Sequence, residues 1–118
     1  MKLLTKSIRE KLLSNGRTQE LVRGTDEEID FRPVVKLFTP DAACTWLLSE
    51  VDPEDPDIAF GLCDLGMGTP ELGSVRLSEL ASVRGKLGLP VERDRYFEAE
   101  KTLSAYAAEA RALGVIRA

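Results

Sequence analysis

The spacing of apolar residues changes character along the chain. In the opening segment Ile8, Leu12 and Leu13 recur at helical intervals behind Thr5, whose hydroxyl suits a cap position, and Asn15-Gly16 supplies the residue type that ends helices. A helix is therefore expected over about 6–14, followed by a polar and acidic connecting segment over about 17–30 without a clear period apart from the pair Leu21-Val22. From Pro33 the composition turns β-branched and aromatic. "PVVKLFTPD" predicts a strand that stops at Pro40-Asp41, and "CTWLLSEV" and "DIAFGLCDL", on either side of Pro53 and Pro56, predict an antiparallel hairpin. "ELGSVRL" after the turn-like "GMGTP" predicts a fourth strand. Ser78 is expected to cap a short helix over about 79–84 ended by Gly85, and "GLPVERDRYFEAE" reads as irregular or as containing a brief edge strand near 95–97. Thr102 then opens a helix over about 103–113 in which Leu103, Tyr106, Ala107, Ala110 and Leu113 form one stripe before Gly114.

These elements predict an α+β fold: a four-stranded antiparallel meander, with room for a fifth edge strand, covered on one face by the N- and C-terminal helices. In the central hairpin, placing Trp46 and Leu48 on one face with Ile58, Phe60 and Leu62 gives a continuous apolar surface and leaves Thr45, Ser49, Ala59, Gly61 and Cys63 on the other. That register puts Cys44 and Cys63 on opposite faces and excludes a disulfide between them.

At 118 residues, 43% hydrophobic and 31% charged, the chain has the size and composition of one folded domain spanning 1–118. No apolar run is long enough to cross a membrane and "MKLLTKSIREKLL" is too charged for a signal-peptide core, so a cytoplasmic protein with free thiols and no membrane partner is expected. Histidine is absent. This removes the usual general base at neutral pH, the Ser/His and Cys/His nucleophile pairs, and most nitrogen–sulfur zinc sites, so the sequence leans away from an enzyme without excluding one.

Charge changes the picture more than composition does. The net charge is −4, yet residues 37–75 hold eight carboxylates and no Lys or Arg, while each flank carries eight basic and six acidic side chains. The acidic stretch "SEVDPEDPDIAF" makes Glu50, Asp52, Glu54, Asp55 and Asp57, with Asp64 across the hairpin, the candidate binding surface. An EF-hand is rejected because Pro53 and Pro56 interrupt the ligand order and no central glycine is present. A looser Mg²⁺ or Mn²⁺ site from Glu50, Asp52 or Asp57 with Asp64 is the alternative to acids and prolines that merely solubilise a hairpin tip; the solvated tip is the better reading, so no metal or other cofactor is expected. Arg84, Lys86, Arg93 and Arg95 form a candidate basic patch, but "RGKLGLPVERDR" lacks a phosphate-loop signature, and a pI of 4.9 without an aromatic-studded basic stripe disfavours direct nucleic-acid binding. Glu92 to Asp94 reads as a charged tie between loop and sheet, and Trp46 as core.

The phrases "TPD", "TW", "DPED", "FGL", "PELG", "SVRG" and "GLP", followed by "ERD", occur in that order over residues 1–98. In this the chain resembles a bacterial family of unknown function, DUF2958, with the C-terminal helix matching least. The resemblance implies a small accessory protein of plasmids and other mobile elements and carries no catalytic residues. The leading expectation is non-catalytic binding of a protein partner with a basic surface through the acidic hairpin, in its sharpest form as a DNA mimic. The alternative is a metal-dependent carboxylate enzyme acting on nucleotide or nucleic-acid phosphates.

Overall fold

A computed structural model of the protein describes residues 3–118. The first helix, α1, runs over Lys6–Val22, eight residues beyond the expected stop at Ser14. Thr5 caps it as expected, its Oγ1 accepting the Ile8 N–H at 3.2 Å. Asn15 and Gly16 do not end the helix; they are buried within it. The reason is contact with the sheet. Asn15 Nδ2 donates to the Ser49 carbonyl at 2.9 Å, and a Cβ on Gly16 would lie 1.9 Å from the Val51 carbonyl oxygen. The glycine permits close approach of backbone to backbone and leaves the helix unbroken.

Four strands follow as a meander: β1 (Val35–Phe38), β2 (Thr45–Val51), β3 (Ile58–Asp64) and β4 (Glu71–Arg76). A two-residue fifth strand, β5 (Glu92–Arg93), pairs with the outer edge of β1, so the antiparallel sheet has the order β4-β3-β2-β1-β5. The edge strand is expected, but it forms before Arg95 instead of over 95–97.

The register of the central hairpin is one residue out of step with the expected one. Trp46 lies opposite Cys63, Leu47 opposite Leu62 and Leu48 opposite Gly61. Large side chains on β2 thus face small ones on β3 on one surface, and leucine meets leucine on the other. A β-bulge between Leu48 and Glu50 then shifts the parity, so that Glu50 pairs with Phe60 and Val51 with Ala59. Cys44 and Cys63 consequently pack against the same core cluster instead of lying on opposite faces, and both are free thiols.

The α+β architecture with terminal helices is as expected, but the helices cover opposite faces. Trp46-Leu47-Leu48 presents large apolar groups to both sides of β2, and both sides need cover. Leu12 of α1 joins Val35, Leu37, Trp46, Leu48 and Ala59 in one cluster. Leu47 and Leu62 join Leu103, Tyr106, Ala107 and Ala110 of the C-terminal helix, α3 (Leu103–Leu113), in the other. Between them α2 (Leu77–Ser82) adds Leu77 and Leu80 to the α1 side. Ser78 lies inside α2 and does not cap it; Asp57, reaching from the hairpin, accepts the Ser78 N–H at 2.9 Å and the Ser78 hydroxyl at 2.7 Å. Gly85 is not the stop of α2 either. Val83 is the C-terminal cap, and Gly85 sits against the Asp41 carboxylate, which accepts the N–H groups of Leu87 at 2.7 Å and Leu89 at 3.2 Å. Thr102 and Gly114 bound α3 as expected, Gly114 with φ +76°.

Candidate functional site

The six carboxylates singled out from the sequence do not form one surface. Asp52 and Asp55 shape the β2–β3 turn: Asp52 Oδ1 accepts the Glu54 N–H at 2.9 Å, and the Asp52 carbonyl accepts the Asp55 N–H at 3.2 Å. Arg76, at the end of β4, reaches Asp55 at 3.3 Å and Asp57 at 3.5 Å. Hydrogen bonds from the Ser78 hydroxyl and backbone N–H hold the Asp57 carboxyl below its ordinary value against a small opposing effect of burial, with Arg76 adding to the depression. Asp64 is at the far end of β3 from Asp57, roughly 20 Å away at the rise of a strand. It is 1% exposed and accepts the N–H groups of Gly66 at 2.9 Å and Ile116 at 3.0 Å, tying the β3–β4 turn to the tail after α3. A shared cation between Asp64 and the hairpin tip is therefore geometrically excluded. Among the described residues no group of three His, Cys, Asp or Glu side chains is arranged to hold a metal ion. Glu54 is exposed at the tip.

The basic residues are dispersed in a similar way. Arg84 donates to the carbonyls of Ala81 at 3.0 Å and Val83 at 2.8 Å, closing the end of α2. Arg93 donates to the Leu3 carbonyl at 2.8 Å, while Lys86 is exposed on the loop that Asp41 braces and Arg95 is exposed after β5. Asp94 makes the expected tie to the sheet, with Lys36 of β1 3.7 Å away.

Glu50 is different. The bulge turns it onto the α3 face of the sheet beside Phe60, at the wall of a cleft of ≈ 650 Å³. Ile58 and Phe60 of β3 and Ile29 give the cleft an apolar floor; Glu28, Asp30, Glu50 and Asp52 line it with carboxylates; Arg23, at the end of α1, is its one cation. Glu50 is 5% exposed, and its Oε2 accepts from Arg23 Nη2 at 3.4 Å. The Gln19 amide, one turn before Arg23, lines the cleft beside the Glu50 carboxylate. The same amide exchanges two bonds with the backbone of Ile29, Nε2 to the carbonyl at 2.7 Å and the Ile29 N–H to Oε1 at 2.9 Å. Burial pushes the Glu50 carboxyl above its ordinary value; Gln19 and Arg23 oppose the rise and Glu28 adds to it.

The cleft's outer wall is also a helix terminus. Asp30 accepts the Ser104 N–H at 3.1 Å and the Ser104 hydroxyl, capping α3 from a distant segment. Its burial raises the carboxyl, but the hydrogen bonds from Ser104 and Thr102 outweigh that and leave it below the ordinary value.

Of the sequence candidates, then, only Glu50 and Asp52 reach the cleft. Gln19 and Arg23 were missed because the helix was expected to stop before them, and Glu28 and Asp30 because they lie in the connecting segment after α1, which only the fold brings to the cleft. The i, i+4 pair Gln19/Arg23 carries a signal only once α1 is continued through Gly16.

A search of curated proteins and a search of solved structures returned no match to this chain. A family model described as a protein of unknown function (DUF2958) matches residues 3–117, through α3 and well past the phrases that carry the resemblance in the first 98 residues, and the chain belongs to that family.

Proposed function

We propose that the protein is a non-catalytic binding module whose partner presents a basic segment to the Glu50 cleft. The observation that carries this reading is the lining of the cleft: four carboxylates against one guanidinium, one of the carboxylates 5% exposed, above a partly exposed apolar floor. Such a surface favours a cationic side chain with an apolar stem. The reading keeps the protein-binding role and basic partner that the acidic segment suggests, and fits an accessory protein of a mobile element. It moves the contact from the hairpin tip as a whole to the face of the hairpin just below the tip, beside the Glu50–Phe60 pair, since Asp55 and Asp57 already meet Arg76 and α2. A DNA mimic is supported less, because spaced and unengaged carboxylates are what it needs. A metal-dependent phosphate enzyme has the weakest support, with Asp64 remote from the other acids.

The test is fluorescence anisotropy of a labelled peptide of alternating arginine and glycine against the full chain at low salt. Saturable binding that is lost in the Glu50→Gln/Asp52→Asn variant is the expected result. No binding, or binding indifferent to both substitutions, overturns the reading.

A further inference from the structure

Resting on that reading, we propose that the cleft is built for a guanidinium group in particular, and that Arg23 occupies the place of the partner's arginine until the partner arrives.

Arg23 is the molecule's own indication of what the cleft accepts. It enters from the end of α1 and meets the Glu50 carboxylate through a single contact of 3.4 Å, while 58% of its side chain stays in solvent. A guanidinium that satisfied this carboxylate fully would make two parallel N–H···O bonds near 2.7–2.9 Å. The observed contact is long and single, so the fork is not formed and the buried charge is only partly met. Beside Glu50 the Gln19 amide is fixed by two bonds to the Ile29 backbone. The wall around the buried carboxylate is thus held in place while its cation is not.

The floor favours the same group. Phe60 is 36% and Ile29 37% exposed, side by side with Ile58 at the cleft. A planar, weakly hydrated guanidinium stacks on such a surface and still donates in its own plane, whereas an ammonium keeps its water and has no flat face to lay down. Of the other carboxylates, Asp30 is engaged with Ser104, Asp52 with Glu54 and Glu28 with the Gly24 N–H at 2.9 Å. They add negative potential at the rim, and Glu50 supplies the directional contact.

Displacement follows from the exposure. Arg23 follows the last helical residue of α1, so its side chain swings into water without breaking a helical hydrogen bond. Removing it relieves the partner of competition from an internal occupant and raises apparent affinity.

The experiment is a chemical-shift titration of the full chain with Nα-acetyl-arginine amide, the matching lysine amide and the neutral citrulline amide. The arginine probe is expected to shift the Phe60 and Glu50 signals with greater effect than lysine, citrulline to have none, and Arg23→Ala and Arg23→Gln each to tighten arginine binding about tenfold. Glu50→Gln in the Arg23→Gln background abolishes it. An arginine affinity that is unchanged or weakened in both Arg23 variants, or citrulline binding as well as arginine, overturns the proposal. If the arginine–glycine peptide still binds in a Glu50-dependent way, only the displacement by a guanidinium falls. If the peptide and every probe fail to bind, the binding-module reading falls with it. Circular dichroism of each variant separates loss of binding from loss of fold.

Discussion

Glu50 and Asp57 lie seven residues apart in one hairpin and respond to acid in opposite directions. The folded state raises Glu50 above 4.5, so it holds that proton more tightly than the unfolded chain does, and stability falls as pH rises from about that value through the raised one. Glu50→Gln is expected to remove this slope from a series of urea midpoints measured against pH. Asp57 is depressed below 3.8, so its contribution is present above the unfolded value and is lost as pH falls through the folded one. Asp57→Asn should lower the urea midpoint at neutral pH, and the gap to wild type should close in acid. At Gly16 the determinant is space. A methyl group 1.9 Å from the Val51 carbonyl forces α1 off the sheet, and Gly16→Ala is expected to cost about 1–3 kcal/mol in thermal or urea unfolding despite alanine's better helix propensity. At this scale the sequence names the right residues and misreads their work: Asn15-Gly16 looks like a stop, and Ser78 like a cap, because the partner atoms on Ser49, Val51 and Asp57 come from elsewhere in the chain.

The elements divide into two layers that share one strand. Leu47 and Leu48, consecutive in β2, belong to different clusters, one under α3 and one under α1. Trp46, the single tryptophan, reports on the α1 side alone. Leu48→Ala and Leu62→Ala are each expected to cost about 2–5 kcal/mol, but only the first should shift the tryptophan emission of the folded protein. Fluorescence spectra below the unfolding transition check this. The α3 layer is further tied by Asp64, which holds the N–H groups of Gly66 and Ile116 while 1% exposed; Asp64→Ala leaves both donors without their acceptor, and about 2–3 kcal/mol is the expected loss in urea unfolding. The four strands of the meander were legible from β-branched runs and turn residues, to within a residue or two, whereas the two-residue edge strand formed earlier than expected. The length of α1 and the face taken by α3 were not, since both depend on what the sheet offers them.

For the molecule as a whole, the acidic middle of the sequence becomes a divided surface. Arg76 and α2 engage one side of the hairpin, Asp64 is sunk at the other end, and the unbalanced charge concentrates at the cleft between α1, α3 and the C-terminal end of β2. Binding of a basic peptide there is expected to weaken as salt rises from 0.05 to 0.5 M, because the rim carboxylates lie in solvent and are screened within roughly a Debye length, and anisotropy titrations across that range measure it. Manganese should give no saturable heat in calorimetry, because no three of the described carboxylates are arranged to hold a metal ion, those lining the cleft included.

The chain's own pattern determined the α+β class, the meander of four strands, the position of the turns and an accumulation of carboxylates around the central hairpin. These are local consequences of side-chain period, β-branching and proline placement. Which residues share a face, how far α1 runs and which acids remain available were decided in three dimensions. A one-residue bulge reverses every side chain beyond it, and a carboxylate's availability depends on partners more than fifty residues away, as between Asp64 and Ile116 or Asp30 and Ser104.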